Sequence, residues 1–218
     1  MKVLLFGATG MVGQGVLREC LLDPRVSDVV VVGRTPTGRS EAKLREIVRA
    51  DLTELSPIAD QLSDVDACSF CLGVSSVGMN EADYRRVTYD LTIAAARVLY
   101  GVNPALRFSY VSGQNTNTQG RAMWARVKGE TEDALLAMSP QTYMFRPGFI
   151  QPQHGVRSKT RLYSTVYSAT GALFPVLRRL FPSAVTTTER LGRAMVTVAV
   201  QGASKRILET RDINAIGA

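Results

Sequence analysis

Three glycines spaced three residues apart, directly after an apolar strand, constrain this chain more than any other feature. The run is Lys2-Val-Leu-Leu-Phe-Gly7-Ala-Thr-Gly10-Met-Val-Gly13. Gly7 lets the chain turn tightly off the strand. Gly10 has no Cβ to keep the backbone away from an anion, and Gly13 lets the next helix pack close on the sheet. A helix that starts here offers unpaired N–H groups and the positive end of its dipole. The run therefore predicts a strand–loop–helix unit that cradles the phosphates of a dinucleotide, with Gly7, Thr9, Gly10, Met11, Val12 and Gly13 around them. The spacing is G-x-x-G-x-x-G, not the G-x-G-x-x-G of the general fingerprint.

The same alternation continues along the chain. Strands are expected at 2–6, 28–33, 46–50, 66–72, 107–112 and 142–146, and helices at about 12–22, 56–62, 81–100 and 121–138. Continuous Val, Ile, Leu and Phe runs without polar alternation suit parallel strands covered on both faces. The fold class is α/β, a Rossmann-type doubly wound and mostly parallel sheet. Residues 1–218 read as one domain, with 149–204 as a small helical region on the substrate side. There, Gln151-Pro-Gln-His-Gly155 reads as a loop. A basic stretch follows from about 160 to 181, where Leu162, Val166, Ala169, Leu173 and Leu177 recur near helical spacing. Such a stripe packs on its own domain or on a second subunit, so a homodimer is one expectation, and a membrane-surface helix is the alternative. Thr186-Thr-Thr-Glu189 reads as a capping box opening a helix to about 201. Lys205-Arg-Ile-Leu-Glu209 reads as a short last strand.

The formal net charge of +7 raises the question of nucleic acid. The positive residues are scattered and form no basic run, so no nucleic-acid partner is expected. The chain enters its first strand at residue 2, which leaves no room for a signal peptide. Its longest apolar runs are strand length, too short to span a membrane. These features predict a cytoplasmic protein without membrane insertion. Cys68 and Cys71 form a C-x-x-C, but within a strand they point to opposite faces about 10 Å apart. That is too far for a disulfide, which needs Cα atoms within about 7 Å. They and Cys20 read as small core residues.

In this fold the tip of the second strand reads the adenosine ribose, and an acidic residue there would bond the 2′-hydroxyl of NAD. Here the tip is Val32-Gly33-Arg34-Thr35. A guanidinium suits a 2′-phosphate, which it grips with charge-assisted hydrogen bonds. Arg34, helped by Arg39, therefore predicts NADP rather than NAD. Asp51, after the third strand, either meets the adenine amino group or caps Thr53.

With these residues in view, the chain resembles the extended short-chain dehydrogenase/reductase superfamily in its atypical branch. The matching pieces are the glycine run, Cys71-Leu72-Gly73, Tyr110-Val-Ser112, Lys128 within Trp124-Ala-Arg-Val-Lys128-Gly-Glu, and Arg146-Pro147-Gly148. Cys71-Leu-Gly-Val, Val127-Lys-Gly-Glu130, Phe145-Arg-Pro-Gly148 and Ile207-Leu-Glu-Thr-Arg-Asp look more narrowly like the Tat-interacting oxidoreductase-like group and its bacterial epimerase-like relatives. The resemblance implies oxidoreductase or epimerase-like chemistry on a small carbonyl or hydroxyl substrate. It implies cofactor contacts at Leu72, Gly73, Pro147, Gly148 and Ile150, with backbone near Gly148 meeting the nicotinamide carboxamide. In that superfamily a Tyr-x-x-x-Lys pair works with a serine on the preceding strand. Lysine lowers the phenol pKa and bonds the nicotinamide ribose, tyrosine passes the proton, and serine orients the substrate oxygen. Lys128 and Ser112 take two of these roles.

The tyrosine position is Trp124, a departure from the pattern. An indole N–H only donates and does not ionise usefully. Losing a proton donor typically removes about 10²–10⁴-fold of rate. A catalytic role for Trp124 would be that of a flat wall beside the nicotinamide or substrate. Tyr84, Tyr89, Tyr163 and Tyr167 are alternative phenols, and His154 lies in a loop expected to pass over the nicotinamide end. A non-catalytic nucleotide-binding protein is the alternative function.

Overall fold

The computed structural model describes residues 1–156 and 183–218. Its described elements are β1 (Lys2–Phe6), α1 (Met11–Leu22), β2 (Asp28–Gly33), β3 (Leu44–Val48), β4 (Ala67–Phe70), α2 (Glu81–Arg85), α3 (Leu91–Val102), β5 (Arg107–Val111), α4 (Met123–Met138), β6 (Thr142–Arg146), β7 (Phe149–Gln151), β8 (Val185–Thr187), α5 (Thr188–Gln201), β9 (Ile207–Glu209) and α6 (Thr210–Ile216). Among the described residues a seven-stranded sheet runs β3-β2-β1-β4-β5-β6-β9, every neighbouring pair parallel. The order reverses at β1, so the crevice between the C-terminal ends of β1 and β4 is the topological switch point where this class of sheet binds ligands.

Two apolar layers cover the sheet. On one face Leu4, Phe6, Val30, Val32, Cys68, Phe70, Phe108 and Tyr110 pack with Ile93, Ala96 and Leu99 of α3. On the other, Val3, Leu5, Val29, Val31 and Phe145 pack with Val16, Leu17 and Cys20 of α1 and Leu191, Met195 and Val198 of α5. The alternation of β1 between layers is the period-two geometry of a strand buried on both sides. Cys68 belongs to one layer and Cys71 packs against the other, as the strand reading of C-x-x-C requires. All three thiols are free.

Helices α1 and α5 approach closely at two glycines. A Cβ on Gly15 would lie 2.8 Å from Thr188 Cβ and its carbonyl oxygen, and one on Gly192 would lie 2.7 Å from Glu19 Cγ. Of the 149–204 region, β7 and β8 form a parallel pair beyond the end of β6, and α5 covers the sheet. The stretch at 160–181, with Leu162, Val166, Ala169, Leu173, Leu177, Tyr163 and Tyr167, lies outside the described residues.

Several boundaries differ from those expected. The third strand is Leu44–Val48 rather than 46–50, because Val29 pairs with Leu44 and Gly33 with Val48. As an edge strand it is only partly covered and carries Arg45 and Glu46. The fourth strand stops at Phe70, where the next residues turn to pack on Gly7. Residues 56–62 form a 3₁₀ helix with a proline in the first turn. The helix expected over 81–100 is interrupted by a π-turn at Arg86–Asp90. The cap of α5 is Thr187, whose Oγ1 accepts from Arg190 N–H at 3.0 Å. Thr186 falls one residue short of that position, because the helix begins at Thr188. The last strand begins at Ile207, not Lys205.

Candidate active and nucleotide site

The glycine loop is built as its spacing demands. Gly7 has φ +79°, and a Cβ there would lie 2.7 Å from Cys71 backbone carbon, so only glycine lets β1 end against the Cys71–Leu72 segment. A Cβ on Gly13 would lie 2.0 Å from Gly7 carbonyl oxygen, which locks α1 onto the loop. Gly10 is different. A Cβ there would meet only Gly7 carbonyl oxygen, at 3.3 Å, and otherwise face open space. Gly10 is also the N-cap of α1, with no side chain capping the helix and no acidic residue in its first turn. Met11, Val12 and Gly13 thus present the donors that every helix N-terminus leaves over, in a positive field and with room for an anion. Gln14 Nε2 donates to Thr9 carbonyl oxygen at 3.1 Å and shapes the loop from behind. A nucleotide pyrophosphate fits this loop.

At the opposite end of the crevice, β5 and α4 bring together the other expected residues. Lys128 Nζ donates to the carbonyls of Val111 at 3.2 Å and Ser112 at 3.1 Å. An ammonium has three donors, so one remains. Its Nζ also sits 5.4 Å from the Tyr110 ring centroid. Burial in this helix–strand crevice pushes the Lys128 ammonium down to about 8, opposed by the negative charge of Glu132. Ser112 is buried, and its Oγ lies 2.9 Å from Thr116 Oγ1, which donates in turn to Gly113 carbonyl oxygen at 2.8 Å. Thr116 has a single proton, so Ser112 donates to Thr116 and keeps its lone pairs for a further partner. Trp124 is half-buried one turn before Lys128, with a ring atom 3.8 Å from where a Gly113 Cβ would stand.

No phenol replaces the missing tyrosine among the described residues. Tyr84 is buried, with its hydroxyl pushed up by desolvation. Tyr89 lies under the Arg85 guanidinium, 4.4 Å from its centroid. Tyr110 is buried beside Lys128, and desolvation raises its hydroxyl still further.

The Arg146-Pro147-Gly148 element has a structural task. Arg146 Nε reaches both carboxylate oxygens of buried Glu132, at 3.0 and 3.1 Å, and Nη1 meets Glu209 at 3.3 Å. This clasp fixes α4, and with it Lys128, to the end of β6. Pro147 carbonyl oxygen accepts from Gln114 N–H, and Gly148 N–H donates to Thr210 Oγ1 at 2.8 Å. A Cβ on Gly148 would lie 2.3 Å from Ala184 carbonyl oxygen. Ile150 is half-buried against the α1 layer. Leu72 and Gly73 border the glycine loop, and a Cβ on Gly73 would meet nothing within 4 Å.

Arg34 is exposed and forms no ion pair among the described residues, while Arg39 pairs with Glu41 at 3.0 Å. Asp51 Oδ1 accepts from Thr53 N–H at 2.8 Å and Thr53 Oγ1 at 2.7 Å, which is the local cap. Sequence reasoning missed Thr116 and Glu132. Glu132 had a signal, since it lies four residues after Lys128 on the same helix face. It also put His154 at the wrong end. His154 borders a cleft of about 440 Å³ with Ala8, Thr9, Arg18, Thr35 and Arg39, next to the glycine loop.

Comparison with known proteins agrees with this geometry. Residues 3–126 match the NAD dependent epimerase/dehydratase family. The chain belongs to that family. Its fold is shared with dTDP-glucose 4,6-dehydratase DesIV from Streptomyces venezuelae, solved with NAD and TYD bound, at a TM-score of 0.71 and 16% identity, covering 100% of this chain and 80% of that one. It is likewise shared with an oxidoreductase of the short-chain dehydrogenase/reductase family from Burkholderia thailandensis, at a TM-score of 0.69 and 15% identity, covering 98% and 92%. Protein fmp52, mitochondrial, of Emericella nidulans is 24% identical over 208 residues, 92% of this chain and 88% of the relative. That relative is a mitochondrial protein by name, which overturns the cytoplasmic placement drawn from the N-terminus. No described helix is long and apolar enough to cross a membrane.

Proposed function

We propose that this family member is an NADP(H)-binding oxidoreductase acting on a small carbonyl or hydroxyl compound, with Trp124 in the tyrosine position. The observation that carries this reading is the Lys128 ammonium, gripped by two β5-end carbonyls beside the Ser112 hydroxyl, with one donor to spare. A bound nicotinamide supplies or accepts the hydride. The residues of the chain bind, orient and move protons. Gly7, Thr9, Gly10, Met11, Val12 and Gly13 would surround the pyrophosphate, with the uncapped N–H groups of Met11, Val12 and Gly13 facing it. Arg34 is the cation for a 2′-phosphate, Asp51 borders the adenine, and Leu72, Gly73, Pro147, Gly148 and Ile150 line the rest of the path. Lys128 gives its third N–H to the nicotinamide ribose. Ser112 offers its lone pairs to a substrate hydroxyl, and Trp124 walls the pocket. The indole of Trp124 cannot pass the proton that tyrosine would, so another group moves it while Lys128 and Ser112 position cofactor and substrate.

The test follows NADPH oxidation against a carbonyl panel for wild type, Lys128→Ala and Trp124→Tyr. Activity in wild type that collapses in Lys128→Ala supports the proposal. A second reading, a non-catalytic NADP(H)-binding protein, draws on the missing phenol. It wins if NADPH binds tightly and no variant turns over, or if activity appears only in Trp124→Tyr.

A further inference from the structure

We propose that the cavity at the N-terminal edge of the sheet, at the other end from the glycine loop, binds a small amphipathic carboxylate anchored by Arg107. The proposal stands apart from the NADP(H) reading. The cavity measures about 560 Å³, a size typical of small-molecule sites. Arg107 at the start of β5, with Gln141 and Tyr143 at the start of β6, lines one part of it. The loop after α5 contributes Gly202 and Lys205, and Leu208 of β9 with Ala215 and Ile216 of α6 adds an apolar surface. The nucleotide crevice lies at the opposite ends of these strands, about 15 Å away along a five-residue strand.

Among the described residues three charged side chains line the cavity, and only one of them lacks an opposite partner. Lys205 Nζ donates to Asp212 Oδ1 at 2.8 Å, so these two offset each other. Arg107 meets no carboxylate among the described residues. Its Nη1 donates to the carbonyls of Ala199 at 3.1 Å and Val200 at 3.3 Å, which the last turn of α5 leaves over. That helix end supplies roughly half a negative charge against the full positive charge of the guanidinium. Nε is buried with no hydrogen-bond partner, and Nη2 has none among the described residues. A half-buried cation with donors to spare takes up an anion, and a guanidinium can meet both oxygens of a carboxylate. The neutral lining decides the rest of the ligand. Gly202, at φ +74°, makes room for the Tyr143 hydroxyl, since a Cβ there would lie 2.8 Å from it. That hydroxyl reaches Gln141 Oε1 only at 3.5 Å, which leaves it a bond to give. With Leu208, Ala215 and Ile216 also in the lining, a short hydrocarbon body fits behind the charge. One unpaired cation suits a monoanion, so a carboxylate fits better than a phosphate with its second charge.

The experiment titrates the full chain with acetate, propionate, butyrate, n-butanol and inorganic phosphate by calorimetry at constant ionic strength. Butyrate should bind wild type, and each methylene added from acetate to butyrate should tighten binding about fourfold. Butanol and phosphate should bind about tenfold more weakly than butyrate, or worse. Arg107→Gln removes the charge and should weaken butyrate about ten- to hundredfold, the scale of hydrogen bonds to a charged group. Because Arg107 also caps α5, Ala215→Glu is the second variant, at an exposed position that leaves the helix end intact. Its carboxylate either repels the ligand or takes Arg107 for itself, and should weaken butyrate about fivefold or more. Saturating NADPH should leave butyrate affinity unchanged, since the two sites lie at opposite ends of the sheet. Displacement of butyrate by NADPH would put the ligand in the crevice and overturn the proposal. It is overturned equally if wild type binds no carboxylate, or if phosphate or butanol binds as tightly as butyrate. Wild-type butyrate affinity in folded Arg107→Gln or in Ala215→Glu overturns it as well, and none of these outcomes touches the NADP(H) reading.

Discussion

Replacing Glu132 by glutamine tests whether the clasp behind α4 sets both stability and the charge state of Lys128. Glu132 is 2% exposed and takes the fork of Arg146, itself 21% exposed. Breaking one side of a buried pair costs about 3–5 kcal/mol, because the remaining charge is left uncompensated. Arg146 keeps Glu209 at 3.3 Å and some water, so the lower end, about 3 kcal/mol, applies here. For a chain of this size each kcal/mol moves the melting temperature by about 2–4 °C, which gives a fall of about 6–12 °C. The same substitution removes the negative charge that opposes desolvation at Lys128. Its ionisation must then move below about 8, and the lysine-dependent limb of NADPH affinity against pH moves to lower pH with it. Thermal melts and pH-resolved NADPH titrations of wild type, Glu132→Gln and the double change Glu132→Gln with Arg146→Met read both effects. The double variant should recover part of the lost stability, since no lone charge remains. A melting temperature within about 2 °C of wild type, together with an unmoved pH limb, would refute the clasp reasoning.

Other outcomes follow from the same geometry. Lys128 has a folded pKa below its ordinary 10.5, so the unfolded chain binds more protons between about 8 and 10.5. Relative to Lys128→Met, wild type should therefore gain about 3 kcal/mol between pH 7.5 and 10.5 in denaturant melts. A constant difference would count against the buried ammonium. Gly15→Ala and Gly192→Ala should each cost about 1–3 kcal/mol by forcing α1 and α5 apart, and wild-type stability in either would contradict the close crossing. Cys20, buried and pushed up to about 12, should stay unreactive toward a thiol reagent at pH 8 until the chain unfolds. Arg34→Asp should weaken NADPH more than NADH, measured by titration, and an unchanged preference would remove Arg34 from the phosphate contacts.

The central strands were legible in the sequence because burial on both faces leaves an unbroken apolar run. Lys2–Phe6, Asp28–Gly33 and Thr142–Arg146 were read to the residue. The edge strand slipped by two residues, since Arg45 and Glu46 interrupt its apolar run and its register is set by pairing with β2. The glycines were readable one by one because each obeys a local steric rule. Trp124 was equally plain, as spacing along one helix needs no tertiary knowledge.

The position of His154 was not readable. Its ring is 35 residues from Glu189 and sits beside a loop near the N-terminus, and no local rule connects them. The hydrogen bond between Ser112 and Thr116 depends likewise on a turn geometry with Asn115 at φ +67°. By itself the sequence determined the parallel sheet, the glycine loop between β1 and α1 and the tryptophan one turn before Lys128, because periodicity and backbone sterics act over a few residues. Only the tertiary structure decided which charges share a crevice. Burial sets the ionisation of Lys128, Arg146 secures its helix, and the chain's distant end closes the cleft beside the first glycines.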